Sequence, residues 1–450
     1  MGIFKAYDIR GKVPSELNPE LARKIGIAFA KLLSARRLLV GRDMRTHSPE
    51  IADAVIEGIR DTGCDVTEIG LASTPMLYFA VGSSYCDGGL CVTASHNPGE
   101  YNGMKLCGRG AAPISAANGI LDIERMCAGD LTQRVRLRGR REELNELERY
   151  ADHVARFAKI RQTIPIAIDA ANGMAGYTLP SILGRLPSVS ANAIFMEPDG
   201  SFPNHEANPL KEENLEPVKR LVIGSHSALG VSFDGDADRC GFVDERGRTV
   251  GSDLMTALLA REILMQKERA AIVYDLRSSW VVREEILKAG GVPIRDRVGH
   301  SFIKATMRAN DAAFGGELSG HYYFKDNFTS DSGEIALMLT LNLLGNVQRP
   351  LSALVADLRR YSSTGEINFE VEDKQGAIAM LKREFADGRQ DELDGITVEY
   401  GKLGDKAWWW FNVRASNTEP LLRLNLEASN PELRDWKRDA IVALLGKPCP

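Results

Sequence analysis

Apolar residues fall at helical spacing early in the chain, with Leu21, Ile25, Phe29 and Leu32 on one face behind a capping Asn18 and a first-turn Pro19. A short apolar run, Leu38-Leu39-Val40, follows and closes on Gly41-Arg42-Asp43, which predicts a strand leading into a loop. A second helix is expected over 50–61 and a strand over 65–70. Apolar runs ending on an acid recur at 164–169, 229–234 and 271–275, with helical stretches at 253–266 and 279–289. Such alternation predicts an α/β layered protein with a mostly parallel sheet. In open α/β sheets functional groups collect at the carboxyl ends of strands, so the terminal acids carry weight.

The pattern changes after about Ser363, where strands with helices are expected, including the aromatic run Ala407-Trp408-Trp409-Trp410-Phe411-Asn412-Val413-Arg414. At 450 residues the chain is too long for one ordinary core. No low-complexity linker marks the joints, and the expected division is 1–143, 144–248, 249–360 and 361–450. The first three segments could be variations on one α/β unit, although no sequence period is visible.

Composition narrows the function classes. A chain with 44% hydrophobic and 26% charged residues is globular, and a net charge of -5 argues against non-specific nucleic-acid binding. The seven cysteines are odd in number and form no CxxC pair, as expected for thiols of a reducing compartment. The start, Met1 to Ala6, has no apolar signal core, and no apolar stretch is long enough to span a bilayer. A cytoplasmic protein without membrane or nucleic-acid partners is expected, its oligomeric state left open.

Four loops carry chemistry. In the first, Gly89-Leu90-Cys91-Val92 delivers Thr93-Ala94-Ser95-His96-Asn97-Pro98, which suits an exposed but held serine nucleophile. In the second, Phe233-Asp234-Gly235-Asp236-Ala237-Asp238-Arg239 sets three carboxylates at alternate positions around a glycine, a donor set for Mg²⁺ rather than for a calcium loop. In the third, Phe314-Gly315-Gly316-Glu317-Leu318-Ser319-Gly320-His321 projects Glu317 and Ser319 to one side, where they could meet sugar hydroxyls. In the fourth, Arg414-Ala415-Ser416-Asn417-Thr418-Glu419-Pro420 combines an arginine with further donors for a phosphate, and Arg423 could join them. Each stretch also has a plain reading: a Ser/Asn turn, an acidic surface turn, a glycine-rich turn and a hairpin connection. Gly173-Met174-Ala175-Gly176 lacks the lysine of a phosphate loop and reads as a strand-to-helix turn.

Together these loops resemble the α-D-phosphohexomutase superfamily nearly end to end, from Phe4-Lys5-Ala6-Tyr7-Asp8-Ile9-Arg10-Gly11 to Arg414–Pro420 and in the family's order. Tyr101-Asn102-Gly103-Met104-Lys105 and Tyr274-Asp275-Leu276-Arg277 look closest to bacterial phosphomannomutases. The resemblance implies three similar α/β domains and a smaller C-terminal α+β domain around a central cleft. It implies Ser95 as the phosphoserine, with Ser95, Asp234, Asp236 and Asp238 holding Mg²⁺. Glu317 and Ser319 become the sugar pair, and Arg414, Ser416, Asn417 and Thr418 the grip on the non-reacting phosphate. Tyr7, Arg10, Lys105, Arg239, His300 and His321 line the reaction centre, His300 and Lys105 being candidate bases. Arg277 departs from the lysine of many relatives; it keeps the charge but changes the geometry. His47, His153, His205 and His226 receive no role.

The implied reaction interconverts hexose 6- and 1-phosphates through a hexose 1,6-bisphosphate, which also serves as activator, with a flexible fourth domain. Mannose phosphates are expected as main substrates, glucose phosphates as the alternative, and amino-sugar phosphates fit less well. Two rivals differ in kind: an enzyme with an aspartyl nucleophile, suggested by Asp234-Gly235-Asp236, and a catalytically silent sugar-phosphate-binding protein. An acid-stable phosphoserine separates the first, and ligand binding without turnover the second.

Overall fold

A computed structural model describes residues 2–131, 137–416 and 421–449. The helix Pro19–Leu32 begins where expected, the Asn18 side chain accepting from the Leu21 backbone N–H. The strands Ile164–Asp169 and Ala271–Asp275 end on their acids, and Leu229–Phe233 ends one residue before Asp234.

Among the described residues the strands form four sheets. Three of them repeat one arrangement. In the first, Asp65–Leu71, Arg37–Arg42 and Gly88–Val92 run parallel, and Tyr101–Gly108 and then Ile9–Lys12 add antiparallel. In the second, Val189–Ile194, Ile164–Asp169 and Leu229–Phe233 are parallel, followed by antiparallel Cys240–Asp244 and Thr249–Val250. In the third, Val292–Asp296, Ala271–Asp275 and Phe314–Gly316 are parallel, followed by antiparallel Tyr322–Phe324 and Ser330–Asp331. The expected kinship of three α/β units is thus visible in topology.

The expectation of mostly parallel sheets needs correction, because each of these sheets is mixed. The reason is loop length. Residues 93–100, 234–239 and 317–321 are the whole connections between the third and fourth strands. A parallel crossover needs a dozen or more residues, so chains this short must turn back antiparallel. The three chemistry-bearing loops therefore occupy the same topological position, at the carboxyl end of the third parallel strand.

The fourth sheet is wholly antiparallel, in the order Ser362–Glu370, Leu421–Ala428, Trp409–Ala415, Ile396–Tyr400, Arg389–Asp391. The helices Lys374–Glu384 and Pro431–Leu445 pack on it. It meets the third unit through stacked Trp280 and Trp408, 4.3 Å between centroids, with Tyr361 edge-on to Trp408. Beside the stack, the buried Glu427 Oε2 accepts from the Trp280 backbone N–H at 2.9 Å and from Trp410 Nε1 at 3.0 Å.

Burial pushes the Glu427 carboxyl up from 4.5 to about 7. A carboxyl raised in the folded state binds a proton that the unfolded chain releases. Its stabilisation is complete below 4.5 and is lost as pH rises through about 7. Glu427→Gln is therefore expected to melt with a flatter pH profile than the parent between pH 4.5 and 7. Parallel melting curves across that window would exclude the linkage.

Among the described residues no helix is long and apolar enough to cross a membrane. All seven cysteines are free thiols, six of them buried.

Candidate active site

Ser95 sits just beyond Gly88–Val92 with φ 51°, in the left-handed region that costs a non-glycine residue about 1–2 kcal/mol. Neighbours hold it there. Its N–H donates to Thr93 Oγ1 at 2.9 Å, and its carbonyl accepts from Arg45 Nη2 at 2.9 Å. Its hydroxyl donates to Asp234 Oδ2 at 2.7 Å, lies 3.3 Å from His96 Nδ1, and accepts from Arg239 Nη2 at 3.4 Å.

The loop after Leu229–Phe233 closes on this serine. Gly235 makes the approach possible, since a Cβ there would lie 2.2 Å from the Ser95 carbonyl oxygen. Asp234, Asp236 and Asp238 are buried, and their ligand oxygens lie within 4.8 Å of one another. Lys105 Nζ reaches Asp236 Oδ2 at 2.7 Å and also pairs with Asp238 Oδ2. The Oδ1 atoms of Asp236 and Asp238 are buried without a hydrogen-bond partner among the described residues. Two orphaned oxygens beside a third carboxylate and a serine hydroxyl fit a divalent cation.

Electrostatics divide the three aspartates. Burial pushes all of them up. Asp236 and Asp238 nevertheless end below their usual range, because the Lys105 ammonium touches both. Asp234, which Lys105 does not touch, ends above it despite Arg239.

The third loop joins through backbone and side chains. Arg239 and His321 form an antiparallel bridge, and the Cys240 N–H donates to the Gly320 carbonyl at 3.1 Å. Ser319 Oγ and His321 Nδ1 are 2.8 Å apart, and His321 Nε2 lies 3.5 Å from Asp238 Oδ1. Glu317 is buried, accepting from the Gly299 N–H at 2.9 Å and from the Tyr323 hydroxyl. The Tyr7 hydroxyl donates to the Val298 carbonyl at 3.0 Å, and its ring stands edge-on to His300.

The two imidazoles, 6.1 Å apart, are driven in opposite directions. Burial, then Lys304 and His321, hold His300 well below its ordinary value. Burial opposes the charge of His321 too, but Asp238 and Glu317 outweigh it and raise His321.

Arg10 Nε donates to Asp8 at 2.8 Å, and Nη1 donates to Asn97 and to the Ala94 carbonyl. At the fourth sheet, Arg277 makes a paired contact with Asp275, while Arg414 Nη2 and Arg423 Nη1 reach Glu366 at 3.3 and 2.8 Å. Ser416 closes the strand Trp409–Ala415, its N–H donating to the Leu421 carbonyl at 2.9 Å. Asn417 and Thr418 lie outside the described residues.

Four phosphoglucomutase/phosphomannomutase family profiles match in order: alpha/beta/alpha domain I over residues 1–130, domain II over 148–247, domain III over 251–361 and the C-terminal domain over 366–442. The chain belongs to the phosphoglucomutase/phosphomannomutase family. It is accordingly a phosphohexomutase, an isomerase. It is 37% identical to a Salmonella typhimurium phosphomannomutase over 99% of both chains, and 40% identical to one from Methanocaldococcus jannaschii over 99% of this chain and 98% of that one. A crystal structure of a family protein from Burkholderia thailandensis superposes with a TM-score of 0.90 at 31% identity, covering 99% of this chain and 98% of that one.

The mutase also contains groups that the motifs did not reveal. Arg45 is buried and donates to the carbonyls of Ser95, Asn97, Pro98 and Tyr101, so one guanidinium holds the whole serine loop. Asp43, at the end of an apolar strand, pairs with it at 3.3 Å. Thr74 donates to Asp236 Oδ2, and Glu366 gathers the arginines. A terminal acid after a strand was a signal for Asp43. Nothing in the local sequence marks Arg45, which reads as a loop residue.

Proposed function

We propose that this phosphohexomutase is a phosphomannomutase, interconverting mannose 6-phosphate and mannose 1-phosphate and accepting glucose phosphates as well. The observation that carries the reading is the Ser95 hydroxyl held 2.7 Å from Asp234, beside two further buried aspartates with orphaned oxygens. The sugar preference rests on the relatives named phosphomannomutase.

Phosphoryl transfer asks mainly for alignment and charge neutralisation. Phospho-Ser95 loses its P–Oγ bond as the free hydroxyl of the hexose monophosphate bonds to phosphorus. That hydroxyl's proton passes to a base, and the departing Ser95 Oγ takes up a proton to become the hydroxyl that donates to Asp234. His300 is kept neutral in the cleft and suits the base. Mg²⁺, held by Asp234, Asp236, Asp238 and the serine phosphate, would supply positive charge to the transferring group. Arg239 and Arg10 flank the serine loop from the protein side. Glu317 and Ser319 face the sugar, while Arg277, Arg414, Ser416, Asn417, Thr418 and Arg423 hold the phosphate that does not react. The hexose 1,6-bisphosphate turns over in the cleft and returns its other phosphate to Ser95, so it also primes the enzyme. Tyr7 and His321 border the reacting end. The four units are proposed to divide at 143, 248 and 360.

The test assays mannose 1-phosphate and glucose 1-phosphate with Mg²⁺ and a trace of glucose 1,6-bisphosphate. A higher kcat/KM on mannose 1-phosphate is expected. A preference for glucose would rename the enzyme, and no turnover on either would overturn the reading. The phosphoenzyme should survive acid and resist hydroxylamine; hydroxylamine cleavage would point to an aspartyl nucleophile instead.

A further inference from the structure

Arg414 and Arg423 stand directly opposite each other in the antiparallel ladder between Trp409–Ala415 and Leu421–Ala428. Like charges in that relation repel unless an anion faces them. The neighbouring strand Ser362–Glu370 supplies one. Its register against Leu421–Ala428 shifts between Ser363 and Glu366, where Gly365 adopts φ 68°. Such a bulge re-aims the side chain that follows it.

Glu366 then meets three guanidiniums. Arg423 Nη1 lies 2.8 Å from Oε1, and Arg414 Nη2 and Arg277 Nη1 lie 3.3 and 3.6 Å from Oε2. Arg277 belongs to the third unit, where Asp275 takes its other face. Among the described contacts, Glu366 is thus shared by three guanidiniums, one of which Asp275 also holds. Arg414 is buried, and its Nε has no hydrogen-bond partner among the described residues. Glu366 keeps 24% of its side chain exposed, so it can yield its place from the solvent side.

Resting on the reading that these arginines grip the non-reacting phosphate, we propose that Glu366 is their resident counter-anion, which that phosphate displaces. The carboxylate keeps the arginines assembled in the absence of substrate. It also competes with the phosphate, so that the grip is reversible. Reversibility matters here because the bisphosphate must be released, turned and held again by its other end. Glu366 is therefore a positioning residue that tunes release, and it bridges two units only while no phosphate is bound.

Competitive inhibition by inorganic phosphate tests this on the full-length enzyme, comparing the parent with Glu366→Gln and Arg414→Met. With Glu366→Gln, the Ki for phosphate is expected to fall about tenfold, with KM and kcat falling together. A strut that merely orients the arginines would instead raise both Ki and KM when neutralised. A Ki in Glu366→Gln that is unchanged or raised, with Arg414→Met weakening inhibition, overturns the role of Glu366 alone. Inhibition left intact by Arg414→Met overturns the underlying phosphate reading. Should Glu366→Gln fail to fold, Glu366→Asp withdraws the charge by one methylene. A fall of about threefold in Ki then supports the proposal, and no fall overturns it.

Discussion

Replacing Ser95 with alanine is expected to lower hexose 1-phosphate turnover by at least about 10⁴-fold, the scale on which a covalent nucleophile is lost. The Ser95 hydroxyl ends on Asp234 Oδ2, His96 and Arg239, and no other hydroxyl within the described residues shares that set of partners. The cleft should otherwise survive the substitution, because Arg45 grips the loop through backbone carbonyls rather than through the side chain. Binding of sugar phosphate, measured by calorimetry, should therefore change by only a few-fold. The acid-stable phosphoprotein should disappear. A variant retaining a tenth of the parent rate would remove Ser95 from the chemistry.

Lys105→Met is the second large effect, and it is expected first in stability. The ammonium is buried against Asp236 and Asp238 and is the one cation in contact with both carboxylates among the described residues, His321 and Arg239 approaching only Asp238, at 3.5 and 3.9 Å. Removing one member of a buried ionic cluster leaves uncompensated charge, which costs about 3–5 kcal/mol. A divalent cation that binds only the folded state should restore part of the loss, about 2.7 kcal/mol at a hundredfold excess over its Kd. The variant should therefore unfold at lower urea in EDTA and recover in Mg²⁺, by a larger margin than the parent. The pH response should also invert. In the parent, Asp236 and Asp238 are depressed, so their contribution is present above 3.8 and lost as pH falls through their lower folded values. Without Lys105 their carboxyls rise, and acid should stabilise the variant relative to the parent. Equal urea midpoints in EDTA would refute the assignment of Lys105 as the cluster's internal counter-ion.

The fate of Lys105 shows how far motifs reach. By resemblance it lines the reaction centre; in the folded chain its charge is committed to the carboxylates of Asp236 and Asp238 rather than aimed at open space. Its ammonium can be counted in the sequence, while its partners lie 131 and 133 positions away. Arg45 is harder still. A loop arginine is ordinarily solvated, and only the folded chain brings four carbonyl groups around it. Glu366 stands in a strand with no motif, and it becomes meaningful only once Arg277 is brought to it from 89 positions away.

The sequence by itself determined the local elements and the identity of the four loops. Periodicity, caps and breakers act over a few residues, so the Asn18 cap and the acids ending Ile164–Asp169 and Ala271–Asp275 were legible. Loop length even held the signal for the antiparallel turn-backs, although periodicity cannot tell strand direction. Tertiary structure alone decided that three such loops stand at one topological position and converge. It alone decided which carboxylate each cation neutralises and which oxygens are left over. Electrostatic interaction falls with distance through a medium of uneven dielectric, so the charge state of Asp234, His300 or Glu366 depends on burial and on neighbours remote in the chain.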